Sequence, residues 1–126
     1  MSIRSNLSAL QRDLPPGCRL VAVSKTQSQE KIREAYEAGH RAFGENKVQE
    51  LLPKHEGLPT DIEWHLIGHL QTNKVKYVVP FVHLIHAVDS VKLLEEINKQ
   101  AGKINRVVDC LLQTHIAREE TKFGFS

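Results

Sequence analysis

Short apolar runs alternate with amphipathic stretches along most of this chain, and that rhythm narrows the fold more than any single residue does. Residues 19–24, 41–45, 62–68, 82–88 and 106–113 read as strands, each too short and too continuously apolar for a helix. Between them the apolar residues recur at helical spacing: Ile32, Ala35 and Tyr36, then Val48, Leu51 and Leu52, then residues 72–79 and 91–101. An opening helix on Ile3, Leu7, Leu10 and Leu14 precedes the first strand and ends at Pro15-Pro16-Gly17. Gly39 closes the second helix, Pro53 is expected to stop the third, and Gly102 is expected to cap the last. Strand, helix, strand, helix at this pace means right-handed βαβ units and a parallel sheet. An open doubly wound sheet and part of a (β/α)8 barrel both satisfy the pattern. In either one, ligands are met at the carboxyl ends of the strands, where loops and helix N-termini gather.

Composition removes several function classes. The chain has 126 residues, 40% hydrophobic, with 17 basic against 15 acidic side chains and a formal charge of +2. This fits one domain spanning residues 1–126 with a sizeable core. The charges are spread without a block of one sign, so nucleic acid is not expected as a partner. No segment approaches the roughly 18 apolar residues of a membrane span, so no membrane partner is expected. Cys18 and Cys110 have no CxxC or metal-type spacing. A reducing compartment, and hence a cytoplasmic location, is the expectation.

The residues that carry chemistry follow the strands. If residues 19–25 are extended, Val21, Val23 and Lys25 share one face while Leu20, Ala22 and Ser24 share the other. Lys25 then tops an apolar column at a strand end, where burial would favour the neutral amine that attacks aldehydes. Asn46 follows Phe43-Gly44-Glu45 and reads as a helix N-cap with Gln49 as its capping-box partner. His65 and Ile67 lie opposite Trp64 and Leu66, and Gly68 permits a tight turn or a close backbone approach. His65 and His69 are four apart, but Gly68 interrupts them at a strand end, so the helical zinc pair is absent and no metal is expected. Asp89 or Ser90 can cap the helix after the fourth strand.

Three segments together, Val23-Ser24-Lys25-Thr26, Phe43-Gly44-Glu45-Asn46 and Trp64-His65-Leu66-Ile67-Gly68-His69-Leu70-Gln71-Thr72-Asn73-Lys74, resemble the pyridoxal-phosphate homeostasis protein family (YggS/PROSC type). The most specific is the pattern Trp-His-x-Ile-Gly-x-Leu-Gln-x-Asn-Lys, met at all eight of its fixed positions. The resemblance covers the whole chain and implies a fold: a partial (β/α)8 TIM barrel of the alanine-racemase-like type, with about five parallel strands and an N-terminal helix. A full barrel usually needs more than about 200 residues, so the chain is expected to be the N-terminal part of a longer family member.

The resemblance also implies a function. Pyridoxal 5'-phosphate is expected as the cofactor, held as a Schiff base on Lys25, with Asn46, His65 and Gly68 as cofactor-binding residues and no catalytic role. The family role is intracellular cofactor homeostasis. The runner-up, an alanine-racemase-like isomerase, needs an acid/base tyrosine opposite the lysine, and Tyr36 and Tyr77 both fall on predicted helices. A barrel fragment with only an interaction role is the third reading. Family members hold the phosphate with a serine-containing segment and a Gly-x-Thr-x-Val-Arg-x-Gly segment that these 126 residues do not contain. Tight phosphate binding is therefore not expected of these residues alone. His115 and Lys122 lie in a family-like segment after the fifth strand, although many relatives carry Asn in place of His115. A half-barrel leaves a strand edge and its inner face open, so self-association is expected.

Overall fold

The computed structural model describes residues 2–114, so His115 and Lys122 lie outside the described residues. Five parallel strands, β1 (Ala22–Val23), β2 (Ala42–Glu45), β3 (Glu63–Leu66), β4 (Leu84–Val88) and β5 (Asp109–Leu112), form one sheet in the order of the sequence. Helices α1 (Ile3–Asp13), α2 (Gln29–Glu37), α3 (Val48–Gly57), α4 (Val75–Val78) and α5 (Val91–Lys103) precede and link them. Sequential parallel order is what consecutive βαβ units of one hand produce, and it is the arrangement of adjacent units in a barrel wall.

One face of the sheet carries the core. Phe43, Trp64, Leu66, Ile85 and Val88 are buried on that face, packed with Leu51, Val75, Val78, Leu93 and Ile97 from the helices. Ile85 and Val88 are three apart yet both fully buried, because a register shift between them inserts one residue into β4. The opposite face bears Val21, Val23, Gly44, His65, Ile67, His86 and Leu111. No described helix covers it, and Val23 and Leu111 are about half exposed. A parallel sheet is ordinarily covered on both faces, so this inner face is unfinished among the described residues.

Several elements end differently from their sequence signals. Strand pairing in β1 spans two residues rather than the expected 19–24, and among the described residues β1 pairs only with β2. The third helix does not stop before Pro53 but runs on to Gly57. Burial of Leu51 and Lys54 and bonds from the Gln29 amide to the Pro53 carbonyl (3.3 Å) and from the Arg33 guanidinium to the Gly57 carbonyl (3.0 Å) hold it past the missing N–H. Gly102 is not the cap of α5. Asn105 takes the left-handed conformation (φ 53°), while the Arg106 and Asn105 amides donate to the Ala101 and Gly102 carbonyls. This is a Schellman closure with asparagine in the glycine position. Residues 72–79 form a 3-10 turn, Thr72–Lys74, leading into α4 instead of one continuous helix. In α1 only Leu7 is buried, while Leu10 is 55% exposed.

Candidate functional site

The carboxyl ends of the strands gather the chain's polar residues. At the end of β1 the Ser24 amide donates to the Gly44 carbonyl (2.9 Å), continuing the parallel ladder for one more bond. The chain then turns over residues 24–27, closed by the Gln27 amide on the Ser24 carbonyl (3.0 Å), with Thr26 at φ 63°. Lys25 occupies this turn and is exposed. The expected burial of its amine is thus not supplied by the described residues. Ser28 then caps α2 by accepting from the Lys31 amide (3.3 Å), as its position after the turn predicts.

Asn46 and Gly68 are in direct contact. A Cβ built on Gly68 would collide with the backbone carbonyl and side-chain oxygen of Asn46, so glycine is required there for steric reasons. Asn46 does not act as the N-cap of α3. Lys47 occupies that position without a side-chain capping bond, and the Asn46 side chain lies against Gly68 instead. Val23 pairs with Gly44 and Glu45 with Leu66, and the Ile67 amide donates to the Glu45 carbonyl (2.9 Å), so the Lys25 turn, Asn46 and Ile67 follow the carboxyl ends of three neighbouring strands. A cavity of about 410 Å³ opens beside Asn46, lined also by Gln49, His69, Gln71, Lys74 and Tyr77.

His65 sits deeper. Its register partner is Gly44, two residues below Asn46, which is about 6–7 Å along a strand. Its Nδ1 and the Nε2 of His86 share a 2.9 Å hydrogen bond, and the His83 ring centroid lies 5.3 Å away. Burial first, and then the neighbouring His86 and His83, hold His65 at about 4, well below its ordinary value. Burial also lowers His86. Both imidazoles are therefore neutral at physiological pH, one donating to the other. His69 instead meets Asp89 (2.9 Å), and the next residue, Ser90, caps α5 by accepting from the Leu93 amide (3.1 Å).

Sequence reasoning missed a buried ionic cluster under Lys25. Glu45 is wholly buried and Lys54 is 7% exposed, with Lys54 Nζ 3.0 and 2.9 Å from the two Glu45 carboxylate oxygens. Lys54 also donates to the Ser24 carbonyl (3.0 Å), and the Ser24 hydroxyl donates to Glu45. A signal existed for both residues: Glu45 alternates with core Phe43, and Lys54 is three residues from core Leu51, so each places a charge on an apolar face.

Known proteins resemble this chain in sequence and in fold. The family described as alanine racemase, N-terminal domain, matches residues 1–125. A pyridoxal phosphate homeostasis protein of Aquifex aeolicus is 50% identical over 107 residues, 84% of this chain and 47% of the relative. The human protein of that name is 44% identical over 124 residues, covering 90% of this chain and 45% of its own length. The chain thus spans about half the length of these curated relatives. Among solved structures, PipY of Synechococcus elongatus PCC7942 superposes with a TM-score of 0.92 without pyridoxal phosphate and 0.89 with it bound. It is 41% identical in both, covering 99% of this chain and 59% and 58% of those chains. Alanine racemase of E. faecalis, 19% identical at a TM-score of 0.75, shares the fold. With a sequential parallel sheet and a family match over residues 1–125, the chain belongs to the alanine racemase N-terminal domain family, and it is similar to pyridoxal phosphate homeostasis proteins over about half of their length.

Proposed function

We propose that residues 1–126 are the N-terminal portion of a cytoplasmic, non-catalytic pyridoxal phosphate-binding barrel that takes part in cofactor homeostasis, with Lys25, Asn46, His65 and Gly68 facing the cofactor. The observation that carries this reading is a solvent-open lysine just past the carboxyl end of β1, with an asparagine that packs against a glycine just past the end of the neighbouring β2. The residues fit the aldehyde end of such a group. An exposed amine can be reached, and the Asn46 amide supplies both a donor and an acceptor. Bound pyridoxal phosphate would contribute an aldehyde and a ring that withdraws electrons. Lys25 would hold such a group through its amine, the kind of nucleophile that reacts with aldehydes, and Asn46 would orient it.

The partner is a small molecule. No described helix is long and apolar enough to cross a membrane. The even spread of charge gives no nucleic-acid surface. The unfinished inner face and the β5 edge favour self-association when nothing else covers them.

Incubation with pyridoxal phosphate, borohydride reduction and peptide mapping tests the assignment. The pyridoxyl label is expected on Lys25 and not on Lys31, Lys47 or Lys99. A label spread over several lysines would identify nonspecific surface chemistry and remove Lys25 from its role.

A further inference from the structure

We propose that Lys54, buried against Glu45 beneath the sheet, is a positioning residue that holds the Lys25 turn in the geometry needed to meet an aldehyde. The inference rests on the reading of Lys25 given above and adds to it a residue on another element, α3. Lys54 has three hydrogens to donate, and the structure gives it three acceptors: both carboxylate oxygens of Glu45 and the backbone carbonyl of Ser24. That carbonyl opens the turn, and it also accepts the Gln27 amide that closes the turn. One buried ammonium therefore grips the hinge point of the segment that carries Lys25.

The turn needs such a grip. Its third residue, Thr26, stands at φ 63°, where this type of turn favours glycine and a β-branched side chain is strained. β1 gives little support, since only two of its residues are in the ladder and among the described residues it pairs on one side. Lys25 itself is exposed and has no described packing to fix it. A buried ion pair is a poor general stabiliser, because apolar side chains of similar volume in its place often leave a protein as stable or more so. Its third bond accounts for what this one does: the Glu45 carboxylate aims Lys54, and Lys54 gives its remaining hydrogen bond to the peptide that precedes Lys25.

The test uses the Glu45→Leu/Lys54→Met double variant, which removes both charges while keeping the volume. Two quantities are read in the variant and the unaltered chain at matched fraction folded. The first is hydrogen exchange of the Gln27 amide, which needs no cofactor. Its protection is expected to fall about 10- to 100-fold, the range that corresponds to losing a hydrogen bond to a charged donor. The second is the share of pyridoxyl label carried by Lys25 after reduction, expected to drop several-fold with no change in the urea midpoint large enough to explain it. Adding Thr26→Gly to the double variant relieves the strain and is expected to restore much of the Gln27 protection. A folded double variant with unchanged Gln27 exchange overturns the proposal. So does faster Gln27 exchange with an unchanged Lys25 share, which would make Lys54 a brace of the turn and nothing more. If the double variant does not fold, Lys54→Arg keeps the charge but displaces the donor, and the same two readings decide. Should the unaltered chain take no label at Lys25, the cofactor reading fails, while the exchange result still decides whether Lys54 holds the turn.

Discussion

At the residue scale, the site divides into side chains placed for exposure and side chains placed for contact. Lys25 is exposed, so Lys25→Ala should leave stability within about 0.5 kcal/mol of the unaltered chain while removing the pyridoxyl label, measured by urea unfolding and peptide mapping. Gly68 is the opposite case. A methyl group there meets Asn46 backbone and side chain, so Gly68→Ala should destabilise by about 1–3 kcal/mol, read from the urea midpoint at constant slope. His65 supplies a pH dependence. Its value in the folded chain, about 4, lies below its ordinary 6.5, so the unfolded chain binds more protons between those limits. The stability this contributes is present above 6.5 and is lost as pH falls through that window toward 4. Unfolding at pH 7 and pH 5 should give a lower midpoint at pH 5, and His65→Phe should flatten part of that difference. A pH dependence untouched by the substitution would assign it elsewhere, to His86 or His55, which burial also lowers.

At the element scale, ends matter more than interiors. Ser28 and Ser90 cap their helices as their sequence positions require, and Ser90→Ala should cost α5 about 1 kcal/mol in urea unfolding. The other end of α5 closes on Asn105 at positive φ, where Asn105→Val should cost about 1–2 kcal/mol and Asn105→Gly little or nothing. The signals for these ends were local, and at Pro53 and Asn46 a nonlocal contact overruled them. Pro53 ends no helix because Leu51, Lys54 and the bonds from α2 hold the next turn in place. Asn46 caps no helix because its side chain is committed to Gly68 on the neighbouring strand connection.

At the scale of the whole molecule, the described sheet is a wall with one finished face. Its helix side is a continuous core in which Ile85, Leu66 and Val75 are wholly buried. The other side leaves Val23 and Leu111 half exposed, with β1 and β5 as open edges among the described residues. Such a surface should pair when concentrated. Sedimentation velocity over a range of concentrations is expected to show association, and Leu111→Lys should shift it toward the monomer. A strictly monomeric chain at all concentrations would show that residues outside the described ones cover this face.

The sequence by itself determined what depends on neighbours a few residues apart. The five strands, the residues on each strand face and the placing of Lys25 and Gly68 at strand ends all follow from period and punctuation, and sequential parallel order follows from the handedness of βαβ units. The choice of a barrel-type wall over a doubly wound sheet came from the three motifs and not from the period. Only the tertiary structure decided which polar groups meet: Asn46 with Gly68, His65 with His86, and Lys54 with both Glu45 and the Ser24 carbonyl. Each of these contacts joins residues on different elements, and the distance between them is set by how strands and helices pack. A pattern read along the chain records which face a residue is on, whereas the partner across that face is fixed by register and crossing geometry, which appear only when the core has formed.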